Sequence, residues 1–301
     1  MRENKVVYGL IGYGGMGRWH TEILSNVSEA VIGGIYDIKE EKREEAKEKG
    51  FFVYETEEAM LADPDIDVVL IATPNDCHKP IAIRAMHAGK NVISEKPVTL
   101  SSADLLEMEH AAKETGKLLT VHQNRRWDDD FLIIKKLVEE QKLGHVFRIE
   151  SRVHGSRGIP GDWRKEKVHG GGMVLDWGVH LLDQILYMYG DRKIETVYAS
   201  LTNVTNQEVD DGFTAILTFE GGTEVLVEVG TNNYISLPRW YVLGEDGTAV
   251  IRDWQLNGEI IRKTGMTEET VVPVKTAAGL TKTMAPRRED TIVKEDLPKV
   301  S

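Results

Sequence analysis

The stretch KVVYGLIGYGGMG, residues 5–17, sets the reading of the first half of the chain. Its opening run, 5–11, is short and Val-rich, the pattern of a strand buried on both faces. Gly12, Gly14 and Gly17 then stand in G-x-G-x-x-G spacing. Glycines at turns are common, so the spacing gains meaning only from its place between a strand and a helix. There Gly12 permits the tight turn, Gly14 lets backbone approach a pyrophosphate, and Gly17 lets the helix pack on the strand. A dinucleotide's phosphates would meet the first-turn N–H groups and the positive end of the helix dipole.

The alternation continues. AVIGGIYD (30–37), IDVVLIAT (66–73), NVISEK (91–96) and KLLTVHQ (117–123) read as buried strands. Between them lie helical patterns closed by Gly89 and Gly116, the latter opening with Ser101 as N-cap and Asp104 in its first turn. Strand and helix repeated in this way predict a doubly wound parallel sheet, a Rossmann dinucleotide-binding domain over residues 1–123. Beyond it the texture changes. RRWDDDFLIIKKLVEEQKLG reads as one amphipathic helix ending at Gly144, and HGGGMVLDWGVHLLDQILYMYG (169–190) as another. FTAILTFEGGTEVLVEV and WYVLGEDGTAVIR then read as hairpins. Residues 124–301 are therefore expected to form an α+β domain on an open, mostly antiparallel sheet, with a polar, extended tail over 285–301.

The length of 301 residues suits two domains, each with its own core. The 49 acidic against 37 basic residues give a net charge of -12, which disfavours nucleic acid and anionic membrane as partners. No apolar run reaches the roughly 18 residues of a membrane span, and the N-terminus lacks a signal-peptide pattern. The single cysteine, Cys77, excludes an intramolecular disulfide framework and fits a cytoplasmic location.

Asp37 closes the second predicted strand, 20 positions after Gly17. A carboxylate there accepts hydrogen bonds from ribose hydroxyls and repels a 2′-phosphate, which favours NAD over NADP. Two readings stand against it: a cap for the helix beginning near Lys39, and tolerance of a phosphate by Lys39, Lys42 and Arg43. Lys96, in SEKPVTL, stands at the carboxyl end of a strand, where open α/β sheets bind ligands, and can stabilise a developing alkoxide. In residues 169–190 the spacing i, i+4, i+7 stacks Asp176, His180 and Asp183 on one helix face. A histidine there can move a proton, and a carboxylate can orient it or bind a substrate hydroxyl. The alternative is a solvated polar face. His and Asp four apart also suit zinc, but no third ligand announces itself by spacing, so no metal is expected.

GYGGMG, TPNDCHKP, SEKP and GGGMVLDWGVHLLDQ, in this order and at these separations, resemble the glucose-fructose oxidoreductase, inositol dehydrogenase and rhizopine-catabolism family (Gfo/Idh/MocA) over roughly residues 5–190. The resemblance implies an active site between the two domains. It implies cofactor contact at Gly12, Gly14, Met16, Gly17, Asp37, Thr73, Pro74, Asn75, His78, Glu95 and Lys96, catalysis by Lys96 and His180, and substrate binding at Asp176. His180 would take the proton of a sugar or cyclitol hydroxyl while the carbon passes hydride to NAD, with Lys96 holding the oxygen. Arg125 and Trp127, and Arg157 and Trp163 in a loop with His154 and Arg164, suit a polyhydroxylated ring, or equally a carboxylate or phosphate. Family members commonly continue past the sheet, whereas this sequence stops at Ser301. An open sheet face predicts a homo-oligomer, dimer or tetramer. The expected function is NAD-dependent oxidation or reduction of a small carbohydrate or cyclitol. Its rivals are NAD-dependent glycoside hydrolysis through transient oxidation, and a non-catalytic dinucleotide-sensing regulator.

Overall fold

The computed structural model describes residues 4–265, 272–281 and 285–300. They fall into two compact units, one of residues 1–123 with 160–179, the other of residues 124–159 with 180–301. The division differs from a single cut at residue 123, because the segment 160–179 joins the first unit.

The first unit runs β1 (Val6–Ile11), α1 (Gly15–Leu24), β2 (Ala30–Tyr36), α2 (Glu40–Glu48), α3 (Glu57–Ala62), β3 (Val68–Ile71), α4 (His78–His87), β4 (Asn91–Ser94), α5 (Ser102–Thr115) and β5 (Leu119–Val121). Its strands pair in parallel in the order β2-β1-β3-β4-β5. They are apolar without alternation because both faces are covered. Val7, Ile11, Val69 and Ile71 enter one layer with Met60, Ile81, Met86 and Met108. Leu10, Ile35 and Leu70, on the opposite face, enter another with Ala46. α5 begins and ends as its sequence demands: Ser101 Oγ accepts the Asp104 N–H at 3.2 Å, and Gly116 closes the helix at φ 66°.

Register delivers the site. Ile11 pairs with Ile71, Ile71 with Ser94, and Ser94 with Val121. Gly12, Ala72, Glu95 and His122 therefore leave the sheet along one edge, at the carboxyl ends of the strands. Strand order reverses between β1 and β3, the place where sheets of this kind bind nucleotides.

The second unit contains α6 (Asp129–Glu139), β6 (Val146–His154), α7 (Val179–Tyr189, from His180 on), β7 (Ile194–Thr202), β8 (Gly212–Phe219), β9 (Glu224–Gly230), β10 (Trp240–Gly244), β11 (Gly247–Ile251), β12 (Gly258–Lys263), the short pair β13 (Val274–Thr276) and β14 (Gly279–Thr281), and β15 (Ile292–Glu295). Its large sheet has the order β15-β12-β11-β10-β6-β9-β8-β7 and is antiparallel except where β6 pairs with β9. β8 and β9 alternate strictly, burying Phe213, Ala215, Leu217 and Phe219, and Val225, Val227 and Val229. α6 and α7 supply the other half of this core, with Tyr189 stacked on Phe219 at 4.7 Å and Phe131 6.3 Å from Trp240. The opposite sheet face carries an ionic ladder: Arg148 and Arg152 of β6 lie between Glu150 of the same strand and Glu224 and Glu228 of β9. No helix among the described residues is long and apolar enough to cross a membrane.

Candidate active site

The glycine motif forms the β1–α1 turn as its spacing requires. Gly12 has φ +98°, and a Cβ there would stand 2.5 Å from the Ala72 carbonyl oxygen. A Cβ on Gly17 would stand 2.1 Å from the Gly12 carbonyl oxygen, so only glycine lets α1 close on the strand end. Gly14 differs: a Cβ there meets nothing within 4 Å. Its glycine is not needed for packing, and it stands directly before the first turn of α1, whose N–H groups are free of intrahelical partners.

Asp37, just past β2, accepts the Tyr13 N–H at 2.6 Å and the Lys39 N–H at 2.9 Å. It thus closes a short turn ahead of α2 without capping the helix, whose N-cap is Lys39, and it braces the glycine loop, with its carboxylate held beside that loop. Of the cations nearby, Lys42 is paired with Glu45 at 2.9 Å, and the Arg43 guanidinium donates to the Asp37 and Ile38 carbonyls at 2.8 and 3.1 Å.

At the end of β4 the Lys96 ammonium donates to Asp176 twice, to Oδ1 at 3.0 Å and to the main-chain oxygen at 2.8 Å. Arg164 Nε lies 3.4 Å from the other Asp176 oxygen, and the Arg164 guanidinium covers the Trp163 ring at 4.7 Å. Burial works against the Asp176 charge, but Lys96 and Arg164 outweigh it and hold the carboxyl below its ordinary range. The Asp176 carboxylate is therefore ionised near neutrality and holds the Lys96 side chain at the sheet edge that carries the glycine loop.

The segment bearing Asp176 is not the regular helix its periodicity suggests. Residues Val174–Gly178 form a π-turn, and α7 begins only at Val179. The expected stack of three side chains on one face is corrected accordingly, since a wider turn breaks 3.6-residue spacing. Asp176 turns to Lys96, whereas Asp183 receives both prongs of Arg126 at 2.8 and 2.6 Å. His180 is buried in the first turn of α7.

Two residues expected at the cofactor have side chains buried among protein partners. His78 is fully buried, its ring nitrogens 2.8 Å from the Pro97 oxygen and 3.0 Å from that of Thr73. Burial holds it below its usual pKa despite these neighbours. The side chain clamps the loop after β3 to that after β4. Glu95 is also buried, and its Oε1 meets His20 Nε2 at 2.7 Å and His122 Nδ1 at 3.1 Å. Burial opposes its charge, yet His122 and His20 bring its pKa down to about 2. Asn75 is buried too and donates to the Gly170 oxygen at 2.9 Å. Met16, Thr73 and Pro74 are half-buried along the same edge.

The anticipated substrate group divides between the units. Trp163 joins Lys96 and Asp176 in the first. In the second, Arg125 pairs with Asp128 at 2.9 Å, Trp127 is 74% exposed, and Arg157 is exposed in the loop after β6. His154 is drawn into the sheet, 2.8 Å from Glu228. His20 and His122 were missed by sequence reasoning, although His122, like Lys96, stands at a strand's carboxyl end.

The family model of an oxidoreductase family with an NAD-binding Rossmann fold, Gfo/Idh/MocA, matches residues 6–123, and the model of that family's C-terminal domain matches residues 131–250. The chain belongs to the Gfo/Idh/MocA family. Among the family's members it is 31% identical over 244 residues to the scyllo-inositol 2-dehydrogenase (NADP(+)) IolW of Bacillus subtilis, covering 80% of this chain and 67% of that one. It is 31% identical over 223 residues to the myo-inositol 2-dehydrogenase of Thermotoga maritima, covering 71% and 65%. A solved structure, that of an NAD-binding protein from Listeria innocua, superposes with a TM-score of 0.96 at 52% identity, over 98% of this chain and 85% of that one. Against several other curated oxidoreductases, the chain spans about half of their length.

Proposed function

We propose that this Gfo/Idh/MocA chain is an NAD-dependent oxidoreductase acting on a secondary alcohol of a sugar, cyclitol or related derivative. The observation that carries the reading is the Lys96 ammonium, held 3.0 Å from the Asp176 carboxylate at the edge that carries the glycine loop. Gly14 and the start of α1 would receive the pyrophosphate, and Asp37 the adenosine ribose. Bound NAD supplies the hydride acceptor. In the oxidative direction Lys96 holds the reacting hydroxyl oxygen and stabilises the negative charge it gains as hydride leaves carbon. His180 takes the hydroxyl proton, so that an alcohol becomes a ketone with one hydride and one proton removed. Asp176 keeps the ammonium in place and offers its remaining acceptor capacity to a neighbouring hydroxyl. Its bond to Lys96 must open or be shared as substrate enters.

The inositol dehydrogenases among the relatives support the substrate class. The test is a screen of sugars, cyclitols and sugar acids with NAD and with NADP, followed by the absorbance of reduced cofactor. Stoichiometric ketone formation with NAD is expected. Release of a glycoside leaving group without net cofactor reduction would overturn the proposal in favour of elimination chemistry, and failure to bind NADH would remove the cofactor role altogether.

A further inference from the structure

We propose that His20, Glu95 and His122 form a binding site for a divalent transition-metal ion, zinc foremost. The site lies outside the Lys96–Asp176 pair, and nothing in the proposed reaction uses it. His20 Nε2, Glu95 Oε1 and His122 Nδ1 all lie within 4.8 Å of one another, the one such group of candidate metal ligands among the described residues. Sequence spacing gives no hint of it, because the three residues are separated by 75 and 27 positions and meet only through the register of the sheet.

The geometry is close to that of a bound ion. Two imidazoles on one tetrahedral zinc, with Zn–N of about 2.0–2.1 Å, stand with ligand nitrogens roughly 3.3 Å and ring centroids roughly 5 Å apart. Here the His20 and His122 rings are 4.7 Å apart and inclined at 67°. Both face one carboxylate oxygen, at 2.7 and 3.1 Å. An ion would enter by opening these contacts by a few tenths of an ångström, with each neutral ring carrying its proton on the nitrogen turned away.

The surroundings are those of a supported site and not of a solvated polar cluster. The ligands come from α1 and from the ends of β4 and β5, and the last two are locked together by the His122 N–H on the Ser94 oxygen at 2.8 Å. Glu95 Oε2 accepts the Lys96 N–H at 3.2 Å, which orients the carboxylate and leaves Oε1 toward the rings. Trp19 packs against both imidazoles, at 5.2 and 5.8 Å, as an apolar wall. His20 and Glu95 are buried, whereas the His122 side chain is 25% exposed and gives an ion its way in. Two nitrogens and one carboxylate oxygen are the donor set of borderline ions such as zinc and cobalt, with room for a fourth ligand from solvent. Such an ion would tie α1 to two strand ends and brace the main chain that carries Lys96.

The test uses the full chain, stripped with chelator and free of cofactor, titrated with Co2+. A visible ligand-field band of four-coordinate cobalt is expected, bleached by one equivalent of Zn2+. His122→Asn and Glu95→Gln should each weaken the band's titration at least as much as loss of an outer-shell partner does, about 10–100-fold. The exposed His110→Ala should leave it unchanged. Should a variant fail to fold, the histidine ring 15N spectrum of the unaltered protein decides, with two histidines shifting on addition of Zn2+. No cobalt band and no histidine shift, or a band undiminished in both His122→Asn and Glu95→Gln, overturns the proposal. None of these readouts depends on turnover or on NAD, so they stand apart from the dehydrogenase reading.

Discussion

Asp176 is a carboxylate between two cations, and that fixes both a stability and an activity signature. Its pKa is depressed in the folded state, so its contribution is fully present above the ordinary aspartate value and is lost as pH falls through the lower folded value. The stability difference between the unaltered protein and Asp176→Asn, read from urea midpoints, should be constant above about pH 5 and should narrow below about pH 4. A difference that instead grows on acidification would contradict the ion-pair assignment. Lys96→Met should lower kcat by about 10²–10³-fold with little change in NADH affinity, as loss of an alkoxide-stabilising donor does. Equal loss of cofactor binding would make Lys96 a binding group only. For Asp37, replacement by Ala removes its bonds to the Tyr13 and Lys39 N–H groups together with the charge that would repel a 2′-phosphate. The NAD-to-NADP preference, measured as the ratio of kcat/KM, should fall about tenfold, the equivalent of roughly 1.4 kcal/mol. An unaltered ratio would reduce Asp37 to a brace of the loop.

At the scale of elements, Gly17 and Gly14 of the β1–α1 turn should separate packing from binding. Gly17→Ala drives a Cβ into the Gly12 carbonyl at 2.1 Å and should lower the melting temperature as well as abolish NADH binding. Gly14→Ala meets nothing within 4 Å and should leave melting unchanged while weakening NADH binding, followed by fluorescence titration. If both variants melt alike and bind alike, the turn does not meet the pyrophosphate at Gly14. This turn was legible in the sequence because strand periodicity, glycine spacing and helix onset all converge on residues 5–17, and the caps at Ser101 and Gly116 were legible for the same local reason. β6 was not read as a strand. One of its faces carries Arg148, Glu150, Arg152 and His154, and the partners of Arg148, Arg152 and His154 on β9 lie some 75 residues onward. The π-turn at Val174–Gly178 was hidden as well, because apolar residues continue through it at a helical rhythm. Strand-end position pointed to Lys96 as a site residue, and the family resemblance added Glu95 and His78 as cofactor contacts. Which groups they bond depends on segments far apart in sequence: His78 meets the Pro97 and Thr73 oxygens, and Glu95 meets His20 and His122.

Across the whole molecule, each unit closes a core of its own, and the second depends on one buried ion pair. Asp130, in the first turn of α6, receives Arg239 Nε at 2.9 Å, a second and closer guanidinium nitrogen, Trp240 Nε1 at 3.0 Å and, on its other oxygen, the Phe131 N–H at 2.8 Å. Arg239 also stacks 3.4 Å over Trp254 and donates to the Arg152 oxygen at 3.1 Å. One carboxylate therefore holds α6, the start of β10 and the central strand β6 in a single network. Asp130→Asn keeps the shape but strands a guanidinium that is only 6% exposed. Breaking such a pair costs about 3–5 kcal/mol, far more than loss of an exposed ion pair, because the remaining charge stays buried. The first unit's layers, built on Val7, Ile11, Val69 and Ile71 on one face and Leu10 and Leu70 on the other, contain no part of this network. Hydrogen exchange should show the consequence as a division: amides of α6, β6 and β10 lose protection in Asp130→Asn, while those of β1, β3 and β4 exchange as before. Equal loss in both sets would mean that the two cores open as one cooperative body, and a stability change below about 1 kcal/mol would remove the pair from its structural role.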